Sequence, residues 1–242
     1  MREAKVGKSE KAISYNPNLS GSFIVAFISK NKIFLFSDGR LTNTQTGVVN
    51  DSTSKVHELT RQVGMLAAGS HMPYLGSHIA EVCAHEGIVY VHGVVDITKL
   101  ALETIWRDFS ERPDNRDKVE AVRIFVFVCG FDSSMTPHMY YLDNMSNPRF
   151  KPQHRVLFQA GNDLEIGAIS TGSGENVNPS SILTKQIESQ IKTAWGKNNL
   201  EEVLHLAFDS TKAELGINNN WIGGDTFIAE IEAASGFKWI AR

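Results

Sequence analysis

From Ser22 the chain is apolar at almost every position: "SFIVAFIS", a polar break at Lys30-Asn31-Lys32, then "IFLFSD". Two such runs around a polar turn predict a hairpin covered on both faces, because a strand with one wet face would alternate. "RQVGMLAAGS", residues 61–70, predicts another strand that ends in small residues. The period then changes. "PYLGSHIAEVCAHEG" has the length and spacing of a helix, and "DITKLALETIWRDFSER" sets Ile97, Ala101, Ile105 and Phe109 on one stripe of another.

A second group of strands follows in "AVRIFVFVCGF", "HMYYLD" after a turn through "DSSMTP", "RVLFQA" and "IGAIST". Asn178-Pro179 then reads as a cap and first-turn proline for a helix carrying Leu183, Ile187, Ile191 and Trp195, with Gly196 as its stop. Asn199 with Glu202 forms a capping-box start for "LEEVLHLAFDSTKAELG", which closes at Gly216. "DTFIAEIE" and "FKWIAR" are two final strands. Strands, two helices, strands, two helices and strands do not alternate singly as a doubly wound sheet requires. The expected class is α+β, as a four-layer αββα sandwich with two sheets face to face and helices outside.

Residues 1–21 have scattered Lys and Glu, little apolar periodicity, and turn chemistry at Asn16-Pro17-Asn18 and Ser20-Gly21. They are expected to form an arm or propeptide, with 22–242 as one domain. The arm has no apolar core for a signal peptide, and no window approaches the roughly 18 apolar residues that span a bilayer. A cytosolic protein with no membrane partner is expected. An apolar fraction of 42%, 21% charge and a net charge of -3 lack the excess cations that nucleic acid requires. Cys83 and Cys129 sit in apolar runs, as reduced core thiols do, and not in a metal-ligand pattern.

Six stretches in register, "GSFIVAFISKNKIFLFSDGR", "SKVHEL", "GMLAAGS", "VCGFDSSMTPHMYYLD", "ISTGSG" and "IGGDTFIAEI", resemble the proteasome β-type subunits of the N-terminal-nucleophile (Ntn) hydrolase superfamily. The resemblance implies the same αββα sandwich, and a threonine-type peptidase whose propeptide is removed by autolysis after a glycine. It puts the cleavage between Gly21 and Ser22, with Ser22 as the mature amino terminus and nucleophile. A serine hydroxyl needs a base within reach, and a free α-amine with a pKa of about 8 is one whereas an amide nitrogen is not. By the same resemblance Lys55 lowers the pKa of the neighbouring amine and hydroxyl, and Asp38 pairs with Lys55. Gly69 donates its N–H to the oxyanion, Ser173 lies beside the amine, and Arg40 is structural. Leu41, Thr53, His57, Ala67 and His71 are implied around the substrate pocket, which the small Ala67 opens to a large apolar side chain. No cofactor or metal is implied; peptide or protein substrates and a ring-type homo-oligomer are.

The pattern departs from the family at the far end of the site. Asn219 stands where an aspartate is common, and Ile222 where a serine is common. An amide holds a hydroxyl or amine by hydrogen bonds but supplies no charge, and isoleucine supplies neither. Two alternatives therefore stand beside the peptidase: a catalytically inactive structural or regulatory ring subunit, and an acylase acting on a small non-peptide amide.

Overall fold

The computed structural model describes residues 19–155, 164–171, 182–187 and 200–242, apart from positions 21, 44, 71, 73 and 218. In chain order the strands are β1 (Leu19–Ser20), β2 (Ser22–Ser29), β3 (Lys32–Asp38), β4 (Leu41–Asn43), β5 (Val49–Asn50), β6 (Val56–Thr60) and β7 (Val63–Gly69). After helices α1 (Leu75–Glu86) and α2 (Val91–Ser110) come β8 (Ile124–Phe131), β9 (Pro137–Asp143), β10 (Gln153–Arg155) and β11 (Leu164–Thr171). Helix α3 (Leu200–Ile217) precedes β12 (Thr226–Glu232) and β13 (Gly236–Ala241), and residues 182–187 are also helical.

The strands form two five-stranded sheets, β11-β2-β3-β12-β13 and β10-β9-β8-β7-β6, and a three-stranded sheet β1-β4-β5. All pairings are antiparallel. The expected four-layer αββα sandwich is thereby corrected. Three sheets are present where it has two, and the described residues show a mixed fold with antiparallel sheets and not that sandwich. The third sheet was missed because residues 41–50 are short, polar and exposed from Gln45 onward, so they carry no apolar period. It also takes in the end of the expected arm, since Leu19 pairs with Asn43 and Ser20 with Thr42.

The continuous apolar runs have a direct cause. In β2, Ile24, Ala26 and Ile28 join a cluster with Leu66, Phe127 and Cys129 of the other large sheet, while Phe23, Val25 and Phe27 pack with Leu204 and Phe208 of α3. In β8, Phe127, Cys129 and Phe131 face that shared cluster, and Ile124, Val126 and Val128 face α1 and α2. Successive side chains of a strand point to opposite faces, so a strand between two cores must be apolar throughout. Both cysteines are free and buried in these clusters.

Helix α1 ends at Gly87, left-handed at φ 68°, where the Ile88 N–H closes onto the Cys83 carbonyl. Helix α2 begins five residues before the expected Asp96 and is rotated slightly from the expected stripe. Its buried line runs through Val91, Val94, Val95, Thr98, Leu102, Ile105 and Phe109, leaving Ile97 and Ala101 at the margin. A threonine fits this line because its hydroxyl donates to the Val94 carbonyl at 2.8 Å within the helix. No helix among the described residues is long and apolar enough to cross a membrane.

Candidate active site

Three of the expected residues converge where β2 begins and β3 ends. Ser22 (2% exposed) is the first residue of β2, Asp38 (0%) the last of β3, and Lys55 (6%) precedes β6. The hairpin register brings the start of β2 beside the end of β3, and on its other side Ser22 lies opposite Thr171 of β11. Lys55 crosses from the second large sheet to the first. Its carbonyl accepts the Ala67 N–H of β7 at 3.1 Å, its own N–H reaches the Ser37 hydroxyl at 3.3 Å, and its ammonium ends at Asp38.

The Asp38 carboxylate is fully engaged. Oδ1 accepts the Lys55 ammonium at 2.6 Å and the Phe23 N–H at 2.7 Å, and Oδ2 accepts the Gly223 N–H at 3.1 Å. One oxygen thus ties the ammonium to the peptide group joining residues 22 and 23. The ammonium has three protons and three acceptors: Asp38 Oδ1, the Asp38 carbonyl at 2.9 Å and the Arg40 carbonyl at 2.8 Å. Burial pushes the Lys55 pKa below the usual lysine value, against the opposing pull of Asp38.

The loop after α3 closes the site from below. The Gly39 and Arg40 N–H groups both donate to the Gly223 carbonyl, at 3.1 and 3.0 Å. Arg40 forks onto Asp51 through Nε at 2.6 Å and a terminal nitrogen at 3.1 Å, holding the Asp51 carboxyl below its ordinary range. Asp51 in turn accepts the Asp225 N–H on its carbonyl at 2.8 Å. Gly224 is left-handed at φ 73°, and a Cβ there would lie 2.4 Å from that same carbonyl. The Gly223 and Asp51 contacts were missed as site features. "IGGD" was legible as an anchor, but a backbone N–H has no side-chain signature.

The remaining expected residues divide. Asn219 turns onto its own loop, its side-chain oxygen accepting the Trp221 N–H at 3.0 Å. Ile222 is buried with Leu204, Phe208 and Leu215, in the core beneath the site. Gly69 ends β7 at φ 94°, where a Cβ would meet the Arg123 carbonyl at 2.1 Å; close approach to the next strand is sufficient cause for a glycine. Leu41 is buried at the start of β4, and the Thr53 N–H donates to the Gly39 carbonyl at 2.9 Å, beside the Asp38 turn. His57 packs instead against α1, its ring occupying the space a Gly76 side chain would take. Ala67 packs with the cluster under α1 and α2. Gly21, Ser173 and His71 lie outside the described residues.

A cleft of about 590 Å³ between Trp106 and residues 144–150 contains none of these groups, although Arg149 stacks over the Trp106 ring at 5.2 Å within it. Among the described residues no group of three or more His, Cys, Asp or Glu is arranged to hold a metal ion.

Asp38 accepts at both oxygens and Lys55 donates all three protons, which places a buried, ordered charge pair beside the start of β2. No known protein family matches the chain by sequence, and no curated protein is similar to it.

Proposed function

We propose that the chain is a proteasome-like Ntn peptidase in which Ser22, freed by cleavage of the Gly21–Ser22 bond, hydrolyses amide bonds. The observation that carries this reading is the buried Asp38–Lys55 pair, with the residue 22–23 peptide hydrogen-bonded to the oxygen that holds the ammonium. A nucleophilic serine at that place needs a base, and the Lys55 ammonium, which donates all three of its protons, is not one. The amine released by cleavage supplies it. In the proposed cycle Ser22 Oγ attacks the substrate carbonyl while the amine takes the hydroxyl proton and passes it to the departing amine. Water then releases the acyl group from Oγ. Lys55 stabilises the neutral amine and the alkoxide character by its charge, and Gly69 donates to the oxyanion. Peptide or protein substrates, no cofactor, a cytoplasmic location and a ring-type homo-oligomer belong to the same proposal.

Asn219, turned onto its own loop, and the buried Ile222 favour a second reading, a non-catalytic ring subunit in which the ion pair only ties sheets together. Intact mass of freshly purified protein, repeated for Ser22→Ala, separates the two. The peptidase reading expects residues 1–21 to be lost from the first and retained by the second, followed by turnover of peptides above that of small acyl amides. Full length in both, after incubation under conditions that permit assembly, overturns it in favour of the scaffold. Cleavage with turnover of small amides alone assigns an acylase.

A further inference from the structure

The edge strand β10 is held by a group of histidines that the proposed chemistry does not use. His138 Nδ1 and His154 Nε2 face each other in a hydrogen bond of 3.0 Å across β9 and β10. The other nitrogen of His138 meets Asp132 at 3.1 Å. His92, from the first turn of α2, lies edge-on to His138 at 4.7 Å between ring centres, and the His154 ring lies 4.8 Å from Tyr140, its partner in the strand register.

A bond between two imidazoles needs a hydrogen on one nitrogen and a lone pair on the other. While Asp132 accepts from His138 Nε2, neutral His138 presents its lone pair at Nδ1 and His154 donates. One added proton is tolerated, because either ring then donates to the other and Asp132 balances the charge. Two added protons leave both rings as donors only, with like charges at hydrogen-bond distance.

We propose that His138, His154, Asp132 and His92 form a proton-operated clasp, which holds β10 on β9 while at most one of the paired rings is charged and releases it when both are.

The surroundings limit how much charge the group can hold. Asp132 stays ionised: burial opposes its charge, but the Thr136 N–H, the Ser134 hydroxyl and His138 keep it well below the usual carboxylate range. Tyr140 is held above the ordinary phenol value, first by burial and then by Asp96 and Asp132, so it remains neutral. Asp96 on α2 is a further acid whose charge reaches Tyr140. His154 itself is lowered by burial and then by His138 and His92. The sign follows: a base with a lowered folded-state pKa favours the clasped state above the unperturbed value of about 6.5, and that stability is lost as pH falls below it.

Among the described residues β10 spans Gln153–Arg155 and pairs with β9. Beyond the histidines it is tied by the Gln153 amide, which donates to the Ser146 hydroxyl at 2.8 Å and the Asp143 carboxylate at 3.4 Å. The next described strand, β11, belongs to the other large sheet and ends opposite Ser22.

Amide hydrogen exchange of residues 153–155 in the full-length chain, taken at about pH 7.5 and about pH 5.5 and corrected for intrinsic rates, tests this. Protection is expected to fall roughly tenfold or more at the lower pH. β7 and β8 should hold theirs, and His154→Gln, which keeps a neutral donor, should abolish the dependence. The imidazole proton resonances of the unaltered protein give a second reading: the appearance of an added proton on both rings should coincide with loss of β10 protection. Protection that does not change with pH, a fall that persists in His154→Gln, or a double titration that leaves β10 protected would each overturn the proposal.

Discussion

Every polar atom of the Asp38 and Lys55 side chains is matched, and removing either partner leaves the other buried without a counter-charge. Asp38→Asn keeps the shape but abolishes the charge opposite Lys55, so it should cost about 3–5 kcal/mol of stability, the range for an orphaned buried charge. Denaturant midpoints measure it; a loss below about 1 kcal/mol would mean that water reaches the ammonium and that the pair is not the buried unit described. Replacing both, as Asp38→Leu with Lys55→Met, should recover much of the loss, because no charge is then stranded. Ser22→Ala, by contrast, removes a hydroxyl and should leave the fold intact while blocking cleavage. The combination distinguishes a residue that acts chemically from a pair that also holds the structure. Burial lowers the Lys55 pKa, so its desolvation penalty is largest where lysine is charged in both states. That penalty is relieved as pH rises through the lowered folded value toward the unfolded value of about 10.5. In the Lys55→Met background the corresponding alkaline gain in stability should be absent.

At the scale of elements, the same backbone angle has unequal consequences in two loops. Gly47 and Gly224 are both left-handed, at φ 71° and 73°. Around Gly47 a Cβ meets nothing, whereas at Gly224 it would strike the Asp51 carbonyl. Gly47→Ala should therefore cost only the conformational term of about 1 kcal/mol. Gly224→Ala should exceed it by roughly 2 kcal/mol or more, since backbone on both sides must shift. Equal losses in thermal or chemical denaturation would show that the Asp38 loop yields freely. These loops also mark where the sequence was hard to read. The β2–β3 hairpin, β7, β8 and α3 were legible because apolar period and turn chemistry agreed, although α3 runs through the expected stop at Gly216 to Ile217 and its expected cap Asn199 lies outside the described residues. β1, β4 and β5 were not: they are two or three residues long, too short to show a period. The α2 stripe was read from Ile97 and not Thr98 because a satisfied hydroxyl is invisible in a hydropathy pattern. At the site, Ser22, Asp38 and Lys55 were expected as a set through the family resemblance, while His57 and Ala67 lie toward α1 and α2, a side decided by which distant elements cover each face of β6 and β7.

For the whole molecule, the cluster shared by the two large sheets decides whether the halves unfold together. Ile24, Ala26 and Leu35 from one sheet interlock there with Leu66, Ala68 and Phe127 from the other, and Lys55 bridges the same gap by its main chain and its ammonium. Neither sheet can expose that face without exposing its partner's, so the apolar cost of separating them falls on both. Two tryptophans report the two sides independently: Trp106 packs beside Phe109 and Phe150 in the α2 region, and Trp239 lies on β13 against Phe237. In variants retaining only one or the other, fluorescence should give one shared denaturation midpoint. Leu66→Ala, which empties a fully buried position on β7, should lower stability by about 2–5 kcal/mol and displace both midpoints equally. If only the Trp106 transition moved, the sheets would be separate cooperative units, and Lys55 would be joining two bodies rather than sitting inside one. A candidate site assembled from β2, β3 and the segment before β6 keeps its geometry only in the first case, because Asp38 comes from one sheet and its lysine from the other.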